Sequence, residues 1–202
     1  MKLLSISVIM TMIAAIAISS CGDRPDIVGS WSGMPSRIDG ISAASNADAT
    51  ISITFFADDN GNNESGSLMI SALIDADQPV SGPESFNNSP YEVSVAATAI
   101  IKGNWTFEDH EDDDVLITLD PNTLAVNVDS NGVTFSSDIL TGTQQPQLDS
   151  LTTATADMWK QSIAKSIGNS FYNIRKISDI KIKNGIMSCE INDRDITFRK
   201  TE

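Results

Sequence analysis

Residues 177–198 read ISDIKIKNGIMSCEINDRDITF, and this stretch decides the fold. Apolar and polar residues alternate on both sides of Asn184-Gly185, which is typical of half-buried strands. The dipeptide favours the positive φ angles of a two-residue hairpin turn. Another alternating run follows through Ile196 and Phe198. The stretch therefore predicts three antiparallel strands at the C-terminal end of an all-β protein.

Further strands are predicted upstream, because the same period of two recurs along most of the chain. The runs are Ala49–Ala57, Ser67–Ile74, Tyr91–Ile101, Val115–Leu119, Leu124–Asp129 and Val133–Ser137. Asn131-Gly132 separates the last two runs and predicts a second hairpin. Many short antiparallel strands without a βαβ rhythm favour a closed or nearly closed barrel.

One segment has helical rather than strand periodicity. Apolar residues recur at steps of three and four between Leu148 and Asn173. They are Leu151, Met158, Ile163, Ile167, Phe171 and Ile174, with Trp159 beside Met158. We expect one amphipathic helix that packs on the sheet before the final strands, with Asp149 or Ser150 as its N-cap.

Charge is strongly acidic and unevenly divided. The 202 residues include 27 Asp plus Glu and 13 Lys plus Arg, a formal net charge of −14, which excludes an electrostatic nucleic-acid binder. Residues 22–150 hold 21 acidic and 3 basic side chains, whereas residues 151–202 hold 6 acidic and 9 basic ones. We expect the helix and final strands to close onto the acidic part with long-range attraction.

The N-terminal end has the sequence pattern of a targeting segment. Lys2, an apolar run over 3–18 and the small residues Ser19 and Ser20 form a secretory signal peptide pattern. Residues 18–21, ending in Cys21, resemble the bacterial lipobox, in which a signal peptidase cuts before the cysteine and the thiol carries a diacylglycerol. The resemblance implies a signal peptide at 1–20, a lipidated tether at 21–26 and one domain at 27–202. The protein would be lipid-anchored in the cell envelope, at the outer membrane, on its periplasmic face or the cell surface.

Several short motifs resemble those of lipocalin-like (calycin-type) lipoproteins of the Bacteroidetes. They are residues 27–31 (IVGSW), 53–61 (ITFFADDNG), 103–107 (GNWTF) and 195–200 (DITFRK). The resemblance implies an antiparallel up-and-down barrel of about 8–10 strands, in which Trp31 closes one end. The helix precedes the final meander here, so a Greek-key or open β-sandwich is the alternative.

Catalytic chemistry is not expected. The one histidine, His110, lies among six carboxylates in residues 108–114, a solvated loop rather than a sheltered cleft. No hydrolase, P-loop or dinucleotide motif is present, and no cofactor is implied. The loop suits Ca²⁺ only weakly, through Asp112, Asp113 and Asp114, and a solvated loop is the alternative.

A ligand cavity is the leading functional hypothesis. Its candidate lining is aromatic: Trp31, Phe55, Tyr91, Trp105 and Phe107. Ala96, Ala97 and Ala99 favour a partly hollow interior that holds a small apolar or amphipathic ligand. The alternative is a filled barrel in a structural or interaction lipoprotein that contacts another, unidentified envelope protein.

Two further residues carry separate expectations. Cys189 alternates inward with Met187 and Ile191, so we expect a buried, inert thiol, with no disulfide once Cys21 is acylated. Asp149-Ser150-Leu151 resembles the Bacteroidetes O-glycosylation pattern and makes Ser150 a glycosylation candidate. The alternative is that these residues only cap the helix.

Overall fold

The computed structural model describes residues 24–38, 40–41, 44–61, 63–80, 91–109, 113–136 and 145–201. The strands are β1 (Gly29–Gly33), β2 (Ser36–Arg37), β3 (Asn46–Phe55), β4 (Ser65–Val80), β5 (Tyr91–Phe107), β6 (Val115–Phe135), β7 (Lys176–Lys183), β8 (Ile186–Glu190) and β9 (Asp195–Thr201). The helix α1 spans Gln145–Tyr172 and precedes β7.

The short strand β1 closes the sheet into a ring of eight strands. Its Trp31 pairs with Ile53 of β3 on one side and with Lys200 of β9 on the other. Between β3 and β9, neighbours in the sheet are neighbours in the chain, so the arrangement is up-and-down rather than Greek key. The predicted all-β antiparallel barrel, with one helix before the final strands, is confirmed.

The long strand β6 unites three of the predicted strands. Its partner β5 pairs in turn with residues 115–120, 125–128 and 133–135. At each of two register shifts, two residues along β5 correspond to five along β6. Three extra residues per bulge reverse the alternation of β6, which keeps its apolar side chains facing inward. Asn131-Gly132 lies in the second bulge, and the hairpin predicted there is wrong.

The hairpin predicted at Asn184-Gly185 is confirmed. Asn184 has φ 54° and Gly185 has φ 73°, and the flanking Lys183 and Ile186 pair across the turn. Positive φ at both turn positions matches the right-handed twist of the two strands. β9 then returns along β8 and completes the predicted meander.

The helix α1 begins at Gln145, earlier than predicted. Pro146 lies in its first turn, where the missing N–H costs no intrahelical hydrogen bond. The N-cap predicted at Asp149 or Ser150 is therefore wrong, because both residues lie inside the helix.

The buried face of α1 also differs from the predicted stripe. Leu151 and Met158 are exposed. The buried side chains follow four-residue steps through Trp159, Ile163, Ile167 and Phe171. This face packs against β5 and β6 and joins the same hydrophobic core as the barrel interior. Among the described residues, no helix has the apolar length needed to cross a membrane.

Candidate functional site

Four of the five aromatic cavity candidates belong to the hydrophobic core. Trp31, Phe55, Trp105 and Phe107 come from β1, β3 and β5 and are all buried. The Phe55 and Trp105 rings pack edge to face with centroids 5.7 Å apart, and the Trp105 and Phe107 rings do the same at 5.8 Å. Aromatic pairs favour this arrangement and gain about 0.5–1.5 kcal/mol beyond area burial. Phe55, Trp105 and Phe107 therefore contact one another in the buried core.

Both indole N–H groups of this cluster are satisfied by the protein itself. Trp31 Nε1 donates to the carbonyl of Ile27 at 2.7 Å, and Trp105 Nε1 donates to the carbonyl of Phe56 at 2.9 Å. Gly66 pairs with Trp105 across β4 and β5 and makes the second bond possible. A Cβ at Gly66 would lie 1.9 Å from the Phe56 carbonyl oxygen, so only glycine lets that carbonyl approach.

Tyr91 is not brought into this cluster. It begins β5 and pairs with Val80, whereas Trp105 and Phe107 lie at the other end of the same strand. Its side chain lies outside the described part of the structure. Ala97 and Ala99 face inward, as a hollow interior would require, but Ala96 faces outward. The core that contains Ala97 and Ala99 also contains Trp159, Ile163 and Ile167 of α1.

An open groove lies on the outer wall of the long strands. Its volume is about 440 Å³, and its lining residues are Leu73, Ile74, Asp75, Ala96, Ala97, Thr98, Asn127, Asn131 and Gly132. Leu73 is 60% exposed there, although it lies in the middle of β4. The second bulge of β6 supplies Asn131 and Gly132. Sequence reasoning missed this site, because it placed Asn131-Gly132 at a hairpin tip.

The acidic loop between β5 and β6 is tied to β7. Lys176 Nζ lies 2.7 Å from a Glu108 carboxylate oxygen and also pairs with Asp114. Asp114 accepts a further hydrogen bond from the main-chain N–H of Asp179 at 3.1 Å. The hydrogen bond to Asp114, followed by that to Glu108, raises the pKa of Lys176 above its usual range. These bonds bring a cation of the C-terminal part onto the acidic part, as the charge division predicts.

Only two of the three weak Ca²⁺ candidates, Asp113 and Asp114, lie among the described residues. Asp114 is committed to Lys176 and Asp179, whereas Asp112 lies outside the described residues. Asp113 lies beside Asp114, and its carbonyl accepts the N–H of Ile180 at 3.0 Å. Across the described parts of the chain, no three His, Cys, Asp or Glu side chains form a cluster that suits a metal ion.

The modification candidates differ in position. Cys21 lies outside the described residues, which begin at Arg24. Ser150 is exposed in the second turn of α1. Cys189 is buried, as predicted, and burial raises the pKa of its thiol to about 12. A thiol with that pKa is almost wholly protonated at neutral pH and is a poor nucleophile.

One buried hydrogen-bond donor of the described structure, the indole N–H of Trp159, has no acceptor. The indole of Trp159 is fully buried, and its Nε1 has no hydrogen-bond partner in the described structure. An unsatisfied buried donor costs about 1–3 kcal/mol, so this atom needs an explanation. This unpaired donor could not be predicted, because periodicity locates a side chain on a face but not the partner of its polar atom.

Comparison with known proteins gives no assignment. No protein-family description matches the chain, and no curated protein matches it.

Proposed function

We propose that this protein is a lipid-anchored, non-enzymatic component of the cell envelope that acts through its outer surface on another envelope protein. The observation that carries the proposal is that three buried aromatic candidates, Phe55, Trp105 and Phe107, pack on one another. Small-molecule pockets have volumes of roughly 300–1,000 Å³ and are lined by apolar and aromatic side chains. Here Phe55, Trp105 and Phe107 pack edge to face, and the indole N–H groups of Trp31 and Trp105 are paired with main-chain carbonyls.

The lipid anchor is supported by the sequence before the barrel. Residues 18–21 match the lipobox pattern, and Cys21 is the acyl acceptor in this proposal. The lipocalin-like motifs at Trp31 and Trp105 support the same kind of protein, because the related lipoproteins carry such motifs in a barrel. Acylation by more than one chain gives stable membrane attachment.

Labelling with palmitate in the bacterial host tests the anchor. The wild-type protein takes up the label and fractionates with envelope membranes, whereas Cys21→Ala does neither. Cys189→Ala is the matched control, since that thiol is buried and should leave labelling unchanged. A labelled Cys21→Ala protein would contradict the anchor.

Site-specific photo-crosslinking in living cells tests the outer surface. A photoreactive phenylalanine replaces Leu73, whose exposed side chain lies in the groove, or Met34, which is also exposed but does not line the groove. The proposal predicts one discrete crosslinked protein from position 73 and none from position 34. Identical crosslinks at both positions, or none at either, would contradict an interaction through the groove.

A second candidate function is favoured by one observation. The unpaired Trp159 Nε1 is a buried donor between α1 and the sheet, and an amphipathic ligand with an acceptor atom would satisfy it. Solvent extraction of protein purified from its host tests this idea. Wild-type protein would release an equimolar small compound and Trp159→Phe much less, because phenylalanine lacks the donor. An extract without such a compound would exclude this candidate.

A further inference from the structure

The start of the described chain and three of the connections between strands lie at one end of the barrel. Gly29 pairs with Phe55, Ser65 pairs with Thr106, and Lys200 donates its N–H to the carbonyl of Gly185. Residues 24–28, the described parts of 56–64 and 108–114, and the turn at 184–185 therefore lie at the same end. We call it the anchor end.

Residues 24–28 are folded against this end rather than hanging from it. Ile27 is buried, and its carbonyl accepts the Trp31 indole N–H. Arg24 lies 3.4 Å from the Glu64 carboxylate, and its guanidinium lies 5.2 Å from the centroid of the Phe107 ring. A cation over an aromatic face, with a carboxylate beside it, holds a chain in place better than either contact alone. The described chain thus contacts the barrel from its first residue.

The distance from Arg24 to the proposed acyl group is short. Only Gly22 and Asp23 separate Arg24 from Cys21. Three Cα steps of 3.8 Å allow at most about 11 Å, little more than the Debye length at physiological salt. An acyl chain on Cys21 therefore brings the anchor end within reach of the lipid headgroups.

The rim of the anchor end has the chemistry of an interfacial surface. Phe56, directly after β3, Leu116 of β6 and Ile186 of β8 lie there and are between 40 and 46% exposed. Ile186 has cations as both cross-strand neighbours, Lys183 and Arg199. Apolar tips with flanking Lys or Arg heads suit the boundary between headgroups and acyl chains.

The charge of the loops at the same end determines which lipid headgroups this end can approach. The described residues at this end include eight carboxylates: Asp26, Asp58, Asp59, Glu64, Glu108, Asp109, Asp113 and Asp114. They also include five cations: Arg24, Lys176, Lys183, Arg199 and Lys200. The carboxylates outnumber these cations by three, so an anionic surface would repel this end at distances within about a Debye length. A zwitterionic surface would not.

We infer that the anchor end rests on a zwitterionic lipid surface, held by the acyl chains and by a second, non-covalent contact through Phe56, Leu116 and Ile186. This orientation rests on the proposed lipid anchor. It directs the far ends of the long strands, where Asn46 pairs with Asp77, away from the membrane.

Depth-dependent quenching tests the orientation with acylated full-length protein in phosphatidylcholine vesicles. An environment-sensitive dye is attached to Asn60→Cys at the anchor end or to Asn46→Cys at the opposite end, both exposed positions. The buried Cys189 thiol, with its pKa raised to about 12, does not compete for the dye. Quencher-bearing lipids should remove the fluorescence of the dye at position 60 and leave that at position 46. Equal quenching at the two positions would overturn the orientation.

Two variants and a second lipid test the contact itself. Phe56→Gln and Ile186→Gln should each reduce quenching at position 60, whereas Leu73→Gln, an equally polar change in the groove, should not. Vesicles with phosphatidylglycerol should quench position 60 less at low salt than phosphatidylcholine vesicles do. Unchanged quenching in both rim variants, or stronger quenching by the anionic vesicles, would overturn the inferred contact.

The intact mass of each preparation distinguishes failure of the proposed lipid anchor from failure of the inferred orientation. A polypeptide without acyl chains refutes the anchor and the orientation together. An acylated protein with equal quenching at positions 46 and 60 refutes the orientation alone.

Discussion

The indole N–H of Trp31 donates to the main-chain carbonyl of Ile27 at 2.7 Å, and both residues are buried. The bond joins the segment before β1 to the strand that closes the ring. It explains why a tryptophan two residues after Gly29 suits this position: the large ring fills the barrel end and its one donor satisfies a buried carbonyl. Stability should therefore depend strongly on this residue.

Replacing Trp31 should be among the most costly single changes in the chain. Truncation of a buried Trp or Phe removes about 3–5 kcal/mol from the free energy of unfolding. Urea unfolding of the form that begins at Asp23 measures the loss in Trp31→Ala. Met34→Ala is the control, and its exposed side chain should change the free energy by less than about 0.5 kcal/mol. An unchanged midpoint in Trp31→Ala would contradict closure of the ring by β1.

Trp159 allows a finer comparison, because its indole N–H is unpaired. Trp159→Ala should destabilise about as much as Trp31→Ala, since both rings are fully buried. Trp31→Phe leaves the Ile27 carbonyl without its partner, whereas Trp159→Phe removes a donor that has none. We expect Trp159→Phe to lose less stability than Trp31→Phe in the same urea titrations. Met158→Ala, at a half-exposed neighbour, should change little.

Lys176 should stabilise the fold over a wide pH range. Its pKa is raised by Asp114 and Glu108, so the folded state holds the proton more tightly than the unfolded chain, whose lysines have a pKa of about 10.4. The contribution is complete below that pH and is lost as pH rises through the folded-state pKa. Thermal unfolding of Lys176→Gln should show a lowered Tm with a constant deficit between pH 7 and pH 9, smaller in high salt.

The matched control for that series is Lys181→Gln. Lys181 lies 4.0 Å from Asp179, and both side chains are well exposed. A deficit in Lys181→Gln as large as that in Lys176→Gln would show that loss of any positive charge, rather than the contacts with Asp114 and Glu108, lowers stability.

Cys189 should be silent in the folded protein. Burial raises the pKa of its thiol to about 12, which removes the thiolate that reacts with disulfide reagents. The form that begins at Asp23 should show no reactive thiol at pH 8 in buffer and one thiol in concentrated urea. Rapid reaction of the folded form with a disulfide reagent would contradict the packing of β8 against the core.

The all-β fold could be predicted from sequence wherever a local rule agreed with the final packing. Asn184-Gly185 forms the predicted hairpin because the two strands that flank it, β7 and β8, pair with each other. Asn131-Gly132 has the same local preference, yet β5 extends past both of its flanks and pairs with each. A dipeptide records a preference for positive φ, but the length of the partner strand decides between a turn and a bulge.

The two bulges of β6 correspond to reversals in the alternation of apolar and polar residues in the sequence. Inward apolar residues occupy odd positions in Val115–Leu119, even positions in Leu124–Val128 and odd positions again from Val133. An odd number of extra residues between paired segments produces such a reversal. The reversal predicts separate segments, but only the register with β5 shows that they form one strand.

The candidate site was harder to predict, because aromatic composition does not distinguish a lined cavity from a filled one. Trp105 and Phe107 carry the same residue types in either case. The edge-to-face contacts and the hydrogen bond from Trp105 to Phe56 support the filled interior that we propose, and the hydrogen bond depends on the close approach of the Phe56 carbonyl to Gly66. On α1, Met158 and Trp159 are adjacent, and a rotation of one residue determines which of them is buried.

Native mass spectrometry of the protein purified from its host, in a mild detergent, tests the central claim most directly. The claim is that the barrel is filled by its own side chains and carries no cargo. The account predicts the mass of the chain from Cys21 plus its acyl chains, with nothing further bound that activation removes. A stoichiometric small molecule that dissociates on activation, and that is lost in Trp159→Phe, would contradict it.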